Sequence, residues 1–205
     1  MAGLLDGLAV PAAIVVGHDI GATVAQALAR LHDDRVSALV LLNPPYAGIG
    51  ERRFEPSAQR EFWYQRFHQL PLAEELVGRD RRAIAAYLGH FYGHWIGDAT
   101  ALQGAEFEAI VDAYAEPGAF RASIAHYRAR SAQKRSPESA RSDPIRHRTL
   151  VLWGEADPVI PVRWADRLGE SFVDVDLKTL PGIGHFTAFE APEAVVAAVA
   201  TLAGA

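Results

Sequence analysis

The sequence predicts an α/β protein, a parallel sheet of about four strands interrupted by a block of helices. Three observations carry this. First, two aliphatic runs, Ile14–Val16 and Ser37–Leu42, flank the helical stretch Ala22–Leu31, which is the order of a βαβ unit. Second, strand patterns vanish between residues 50 and 145, where aromatic side chains accumulate. Third, they return at Thr149–Trp153 and Val173–Leu180. The expected organisation is therefore an α/β core formed by 1–49 and 146–205, with a helical unit, 50–145, inserted into it.

Taken in order, residues 4 to 9 read as a helix end, and Pro11 breaks the chain before the first strand. Ile14, Val15 and Val16 read as a buried strand. Ala22–Leu31 (ATVAQALARL) carries helix formers with i, i+3/i+4 apolar spacing. HDDR at 32–35 is a polar turn, and Ser37–Leu42 is a second buried strand ended by Asn43-Pro44-Pro45. Within the inserted block, helices are expected at 57–69, 71–78, 80–95, 104–115 and 117–130. Ser131–Asp143 reads as a polar connector. Thr149–Trp153 is a strand, Gly154–Pro161 a turn and Arg163–Glu170 a helix. Val173–Leu180 is the last strand, PGIGH at 181–185 a loop, and Glu193–Leu202 a closing helix.

Composition excludes several classes of function. Half of the 205 residues are hydrophobic, 22% are charged and the net charge is −5, which gives no basis for nucleic-acid or anionic-membrane binding. The chain has no cysteine, so disulfides and thiolate metal sites are excluded. No apolar run reaches the length of a membrane span. The N-terminal MAGLLDGLAV lacks the basic region of a signal peptide, so a cytoplasmic location is expected. His90 and His94 have a spacing that could share a helix face, but no third ligand is evident, so neither a metal nor another cofactor is expected.

The chemistry points to the strand ends. Gly17-His18-Asp19-Ile20-Gly21 lies between a strand and a helix, the pattern of a nucleophile elbow with Asp at its centre. A tight strand-to-helix turn brings backbone close to backbone, which explains the glycines. The helix N-terminus then directs N–H groups at the bend. The plainer alternative for Asp19 is a helix N-cap. Asp157 follows the third strand and His185 follows the fourth. In an open parallel sheet the carboxyl ends of the strands face one crevice, so these three residues can meet there. Taken singly, Asp157 before Pro158 is a common turn former and His185 a common loop residue. The order nucleophile, acid, histidine is what raises them above that.

With GHDIG, LVLWGEADPVIP and GIGHF in hand, the chain resembles the α/β-hydrolase superfamily, within it the epoxide hydrolase and dehalogenase branch. The resemblance covers nearly the whole chain, and the middle block matches the helical cap. It implies Asp19 as nucleophile, Asp157 as acid and His185 as base. A carboxylate attacks an sp³ carbon to form an ester, which water activated by the histidine then hydrolyses. The Ile20 backbone N–H would serve the oxyanion hole. Epoxide hydrolases supply two cap tyrosines to the leaving oxygen; Tyr64, in WYQRFHQLP, and Tyr127, in AHYRARS, match those segments, with aromatic packing as the alternative. Haloalkane dehalogenases usually carry Trp after the nucleophile, and haloacetate dehalogenases carry Arg there and three residues on; here those positions hold Ile20 and Thr23. The expected substrate is a small, apolar organic molecule with an epoxide. A dehalogenase of the same fold is the alternative, and a non-catalytic remnant or binding module the second.

The family places several strands before the elbow, and a His-Gly-x-Pro loop that gives a second oxyanion donor. This chain contains no His-Gly dipeptide and begins a dozen residues before the elbow strand. The expectation is a chain lacking the N-terminal strands, with the elbow strand as an open edge. Homodimerisation or aggregation through that edge, and weak activity, would follow.

Overall fold

The centre of the fold is β2 (Val36–Leu42), and its sequence shows why. Six of its seven residues are buried, and they are aliphatic on both faces, as a strand covered from two sides requires. The computed structural model describes residues 1–98, 104–132 and 143–204. In chain order, α1 (Ala2–Gly7), β1 (Ala13–His18) and α2 (Ile20–Leu31) precede β2. Then come α3 (Pro56–Glu61), α4 (Trp63–Phe67), α5 (Leu72–Leu76), α6 (Arg81–His94), α7 (Ala105–Ala115) and α8 (Ala119–Ala132). The core resumes with β3 (Thr149–Gly154), β4 (Val175–Leu180), α9 (Thr187–Glu190) and α10 (Pro192–Ala203).

The four strands form one parallel sheet in the order β1-β2-β3-β4. Register sets the functional edge. His18 pairs with Leu42, Leu42 with Leu152, and Gly154 with Leu180. The residues that follow each strand therefore leave the sheet at one rim. The two faces of β2 serve separate cores. Leu39 and Leu41 join Val151 and Trp153 and pack with Ala22, Ala25 and Ala29 of α2. Val40 and Leu42 join Leu152, Leu180 and Ala198 of α10. The inserted helices have a core of their own, with Val77, Ile84, Leu88, Val111 and Ile124 at its centre.

Several expectations change in detail. β1 is not fully buried: Val16 is 44% exposed, because β1 is an outer strand of the sheet. The helix expected at 57–69 is broken at Phe62 into α3 and α4, and 163–170 forms a 3₁₀ turn over Val162–Glu170, kinked at Arg167. The connector expected at Ser131–Asp143 falls mostly outside the described residues. His90 and His94 do share a face, with ring centroids 5.9 Å apart, but His94 is engaged with the Glu61 carboxylate at 2.9 Å. Among the described residues no helix is long and apolar enough to cross a membrane.

Candidate active site

The elbow is built where β1 turns into α2. Asp19 has φ 45° and ψ −114°, a conformation that L-residues rarely adopt. It is held by its N–H donating to the Leu42 carbonyl at 3.2 Å and by its carbonyl accepting from Ala22 at 2.9 Å. Its side chain does not cap α2, so the plain N-cap role is not the one it takes. Gly17 is required by space, since a Cβ there would sit 2.6 Å from the Gly21 carbonyl oxygen. Gly21 is not: a Cβ at that position would meet nothing within 4 Å. The crowding that explains the first glycine of the motif does not extend to the second. Ile20 is the first residue of α2, so its N–H is one of the helix's unpaired N-terminal donors, beside Asp19.

The other two candidates meet Asp19 at the rim. His185 donates or accepts through Nδ1 at 2.9 Å from Asp157 Oδ2, and its Nε2 lies 3.8 Å from Asp19 Oδ2. The imidazole is 2% exposed and Asp157 3%, while the Asp19 side chain keeps 33% of its surface. Thus His185 and Asp157 are shielded and Asp19 is open to solvent. Asp157 is fixed by its other oxygen, which accepts from the Val159 and Ile160 N–H groups at 2.7 and 3.1 Å. That Asx-type turn is the local use of the Asp-Pro pair. The His185 loop is fixed by the His185 N–H donating to the Trp95 carbonyl at 2.7 Å, and by its own carbonyl accepting from or facing His18 Nε2 at 2.7 Å.

Asn43 is the site residue that sequence reasoning missed. It ends β2 with φ 41° and is wholly buried. Its amide NH₂ donates to Asp157 Oδ2 at 2.5 Å. Its Oδ1 accepts from the Gly154 N–H at 3.3 Å and from the Thr187 hydroxyl. It therefore ties the end of β2 to the end of β3, to the Asp157 turn and to the start of α9. The available signal was an Asn directly after an apolar strand, since Asn tolerates positive φ better than other residues; the two prolines behind it drew the reading to strand termination instead.

The electrostatics follow from this burial. Burial alone would push the His185 imidazole down, but the charge and hydrogen bond of Asp157, together with Asp19, outweigh it and hold its pKa at about 10. Burial pushes Asp19 up, yet the His185 contact, with His18 and His126 nearby, brings its carboxyl below the ordinary value. His18 is lowered by burial and by the neighbouring His185 charge. The acids on either side of His185 thus favour its protonated form, and His185 in turn favours the ionised form of Asp19.

The two tyrosines are also brought together. Their rings meet edge to face at 5.8 Å, with Tyr64 on α4 and Tyr127 on α8. Tyr64 is 5% exposed, and burial, followed by the Asp19 charge, raises its phenol well above the usual value. Behind them Tyr87 OH and His68 Nε2 are 2.7 Å apart. Tyr64 also packs on Trp95, whose ring touches His185 edge to face. One aromatic layer therefore runs from the inserted helices to the imidazole.

Comparison with known proteins identifies the fold's family. A family model described as the alpha/beta hydrolase family matches residues 2–198. Epoxide hydrolase 4 of Homo sapiens is 25% identical over 172 residues, covering 80% of this chain and 45% of that protein. Epoxide hydrolase 1 of Caenorhabditis elegans is 26% identical over 197 residues, covering 94% of this chain and 48% of that protein. The chain thus spans about half the length of these curated relatives. Among solved structures, an epoxide hydrolase from Bacillus megaterium in complex with an inhibitor superposes with a TM-score of 0.78 at 19% identity, over 99% of this chain and 73% of that one. At that identity the superposition speaks for the fold. With the family model matching nearly its full length, the chain belongs to the alpha/beta hydrolase family, and the two relatives named above are epoxide hydrolases.

Proposed function

We propose that the chain opens epoxides of small, apolar organic molecules, with Asp19, His185 and Asp157 as its catalytic residues and the inserted helices as a cap over them. The observation that carries this reading is the His185 ring: one nitrogen is anchored on Asp157 at 2.9 Å and the other faces Asp19 at 3.8 Å. An Asp19 oxygen attacks an epoxide carbon, and the carbon–oxygen bond of the ring breaks. The departing alkoxide takes a phenol proton from Tyr64 or Tyr127. The product is a hydroxyalkyl ester on Asp19.

The second step needs His185 as a base, although at rest it holds a proton. Ester formation resolves this. It removes the Asp19 charge, one of the two anions that retain the imidazolium proton, so the proton affinity of His185 falls and its proton passes to the tyrosinate left by the first step, which frees the imidazole as a base. His185 Nε2 then takes a proton from water, the resulting hydroxide attacks the ester carbonyl, and the Ile20 N–H receives the oxyanion. Collapse expels the alkoxide, which takes the proton that the hydroxide brought and leaves as the diol; the Asp19 carboxylate is restored, and His185 keeps the proton taken from water, as at rest. Asp157 keeps the ring oriented and balances its charge.

Mass spectrometry of a His185→Gln variant tests this reading. Incubation with an epoxide panel is expected to leave the Asp19 peptide heavier by the mass of the epoxide. A folded variant that gains no mass from any of them overturns the proposal. Release of halide from a haloalkane panel, with no adduct from epoxides, would move the same residues to carbon–halogen chemistry.

A further inference from the structure

Glu190 sits outside the three catalytic candidates but holds the loop that carries one of them. It ends the short helix α9, and its carboxylate folds back over the start of that helix. Oε2 accepts from the Gly184 N–H at 2.9 Å and Oε1 from the Phe186 N–H at 3.0 Å. These are the two residues flanking His185. Oε2 also accepts from the Gly97 N–H at 2.7 Å. Gly97 belongs to the segment that leaves α6, so this third bond reaches out of the core into the inserted block. A carboxylate accepting three N–H groups makes charge-assisted bonds, roughly twice as strong as neutral ones.

The packing around this carboxylate leaves no slack. A Cβ on Gly97 would lie 1.9 Å from the Gly182 carbonyl oxygen, and a Cβ on Gly184 would lie 2.3 Å from the Trp95 carbonyl oxygen. On the other side, a Cβ on Gly154 would lie 2.2 Å from the Gly184 carbonyl oxygen. The histidine loop is thus pressed between β3 and the exit of α6, backbone against backbone. Three glycines permit the contact, and Glu190 is the side chain that bonds both parties to it.

We propose that Glu190 is the positioning residue that sets His185 against Asp19, by fastening the histidine loop to the chain leaving α6. The inserted helices and the base then move as one body. The consequence for turnover rests on the epoxide-opening reading above; the positioning itself does not. With Glu190 loosened, the imidazole drifts from Asp19, and the step that needs it slows while ester formation continues.

Three variants followed by NMR of ¹⁵N-histidine-labelled protein provide the test. His185 is expected to titrate near pH 10 in the unaltered chain, and about one unit or more lower in Glu190→Gln, which loses one acceptor. Glu190→Asp keeps the charge but is one methylene too short to reach Gly97, so it is expected to lower the titration as well. Glu193→Gln, on the exposed first turn of α10, removes a charge of the same sign and is expected to change nothing. An unchanged His185 titration in both Glu190 variants overturns the proposal. So does a drop in Glu190→Gln alone, which would mark a pure charge effect. Slow amide exchange at Gly97, Gly184 and Phe186 in the unaltered protein is a second reading that needs no variant; exchange at exposed-loop rates sinks the clamp. With an epoxide substrate, Glu190→Gln is expected to lower kcat up to about 10²-fold while kcat/KM holds. An equal fall in both would mark mere damage. If no epoxide is turned over but the NMR responses appear, the function falls and the clamp stands.

Discussion

Replacing Asn43 tests whether the rim is held together by one amide. Asn43→Ala removes the acceptor of the Gly154 N–H and of the Thr187 hydroxyl, both of which are buried. Each orphaned group costs about 1–3 kcal/mol. Alanine must also adopt the φ of 41° that Asn43 occupies, a left-handed conformation that costs about 1–2 kcal/mol for a residue with a Cβ. Together these give a loss of about 3–8 kcal/mol, a large part of the 5–15 kcal/mol that holds a typical domain. Asn43→Gly relieves the backbone without restoring the bonds, so it is expected to recover about 1 kcal/mol of that loss. The assay is urea unfolding followed by fluorescence, comparing midpoints at a common slope. A loss below about 1 kcal/mol in Asn43→Ala refutes the reasoning, because it would mean that water or a rearranged loop replaces the amide at no expense.

Gly17→Ala is expected to destabilise by about 1–3 kcal/mol or more, since its Cβ meets backbone that cannot yield, whereas Gly21→Ala is expected to be tolerated; paired thermal melts compare the two. Stability is expected to fall with alkali through one residue. The folded pKa of His185, about 10, lies above its unfolded 6.5, so its contribution is complete below pH 6.5 and is lost as pH rises to 10. Melting temperatures across that range should fall in the unaltered chain and fall less in His185→Gln.

Local patterns carried most of the fold. Aliphatic runs marked the first three strands, alternation in VDVDLKTL marked the fourth, and strand-turn-helix with a central Asp marked the elbow, because each of these signals is complete within about ten residues. The three catalytic candidates were legible through their order along the chain, which the parallel sheet converts into proximity. Asn43 was not, because its role depends on Asp157, 114 residues away, and on Thr187, 144 residues away. Nothing near Asn43 in sequence announces either partner. Glu190 was hidden for the same reason. It reads as an ordinary charge before a helix-starting Pro192, and only the close approach of Gly97 and Gly184 gives it three donors to hold. The exposure of Val16 was hidden as well, because a run of β-branched residues reads as buried by itself and says nothing of the strand's place in the sheet.

The leaving group ties the inserted helices to the core. An alkoxide is a far stronger base than a halide ion, so a site that expels it needs a donor that keeps its proton until the bond breaks. A phenol serves only while it stays protonated, and burial raises Tyr64 well above its usual value. The neighbouring Asp19 charge strengthens that effect, because a negative phenolate beside a carboxylate is unfavourable. Burial and the nucleophile's own charge therefore keep the donor loaded in the resting site. In the proposed reaction, ester formation then discharges Asp19 as the alkoxide appears, and the phenol becomes easier to deprotonate at the moment its proton is required. The same loss of charge lowers the proton affinity of His185. One covalent event thus readies the acid of the first step and the base of the second, provided the inserted helices keep Tyr64 within the field of Asp19.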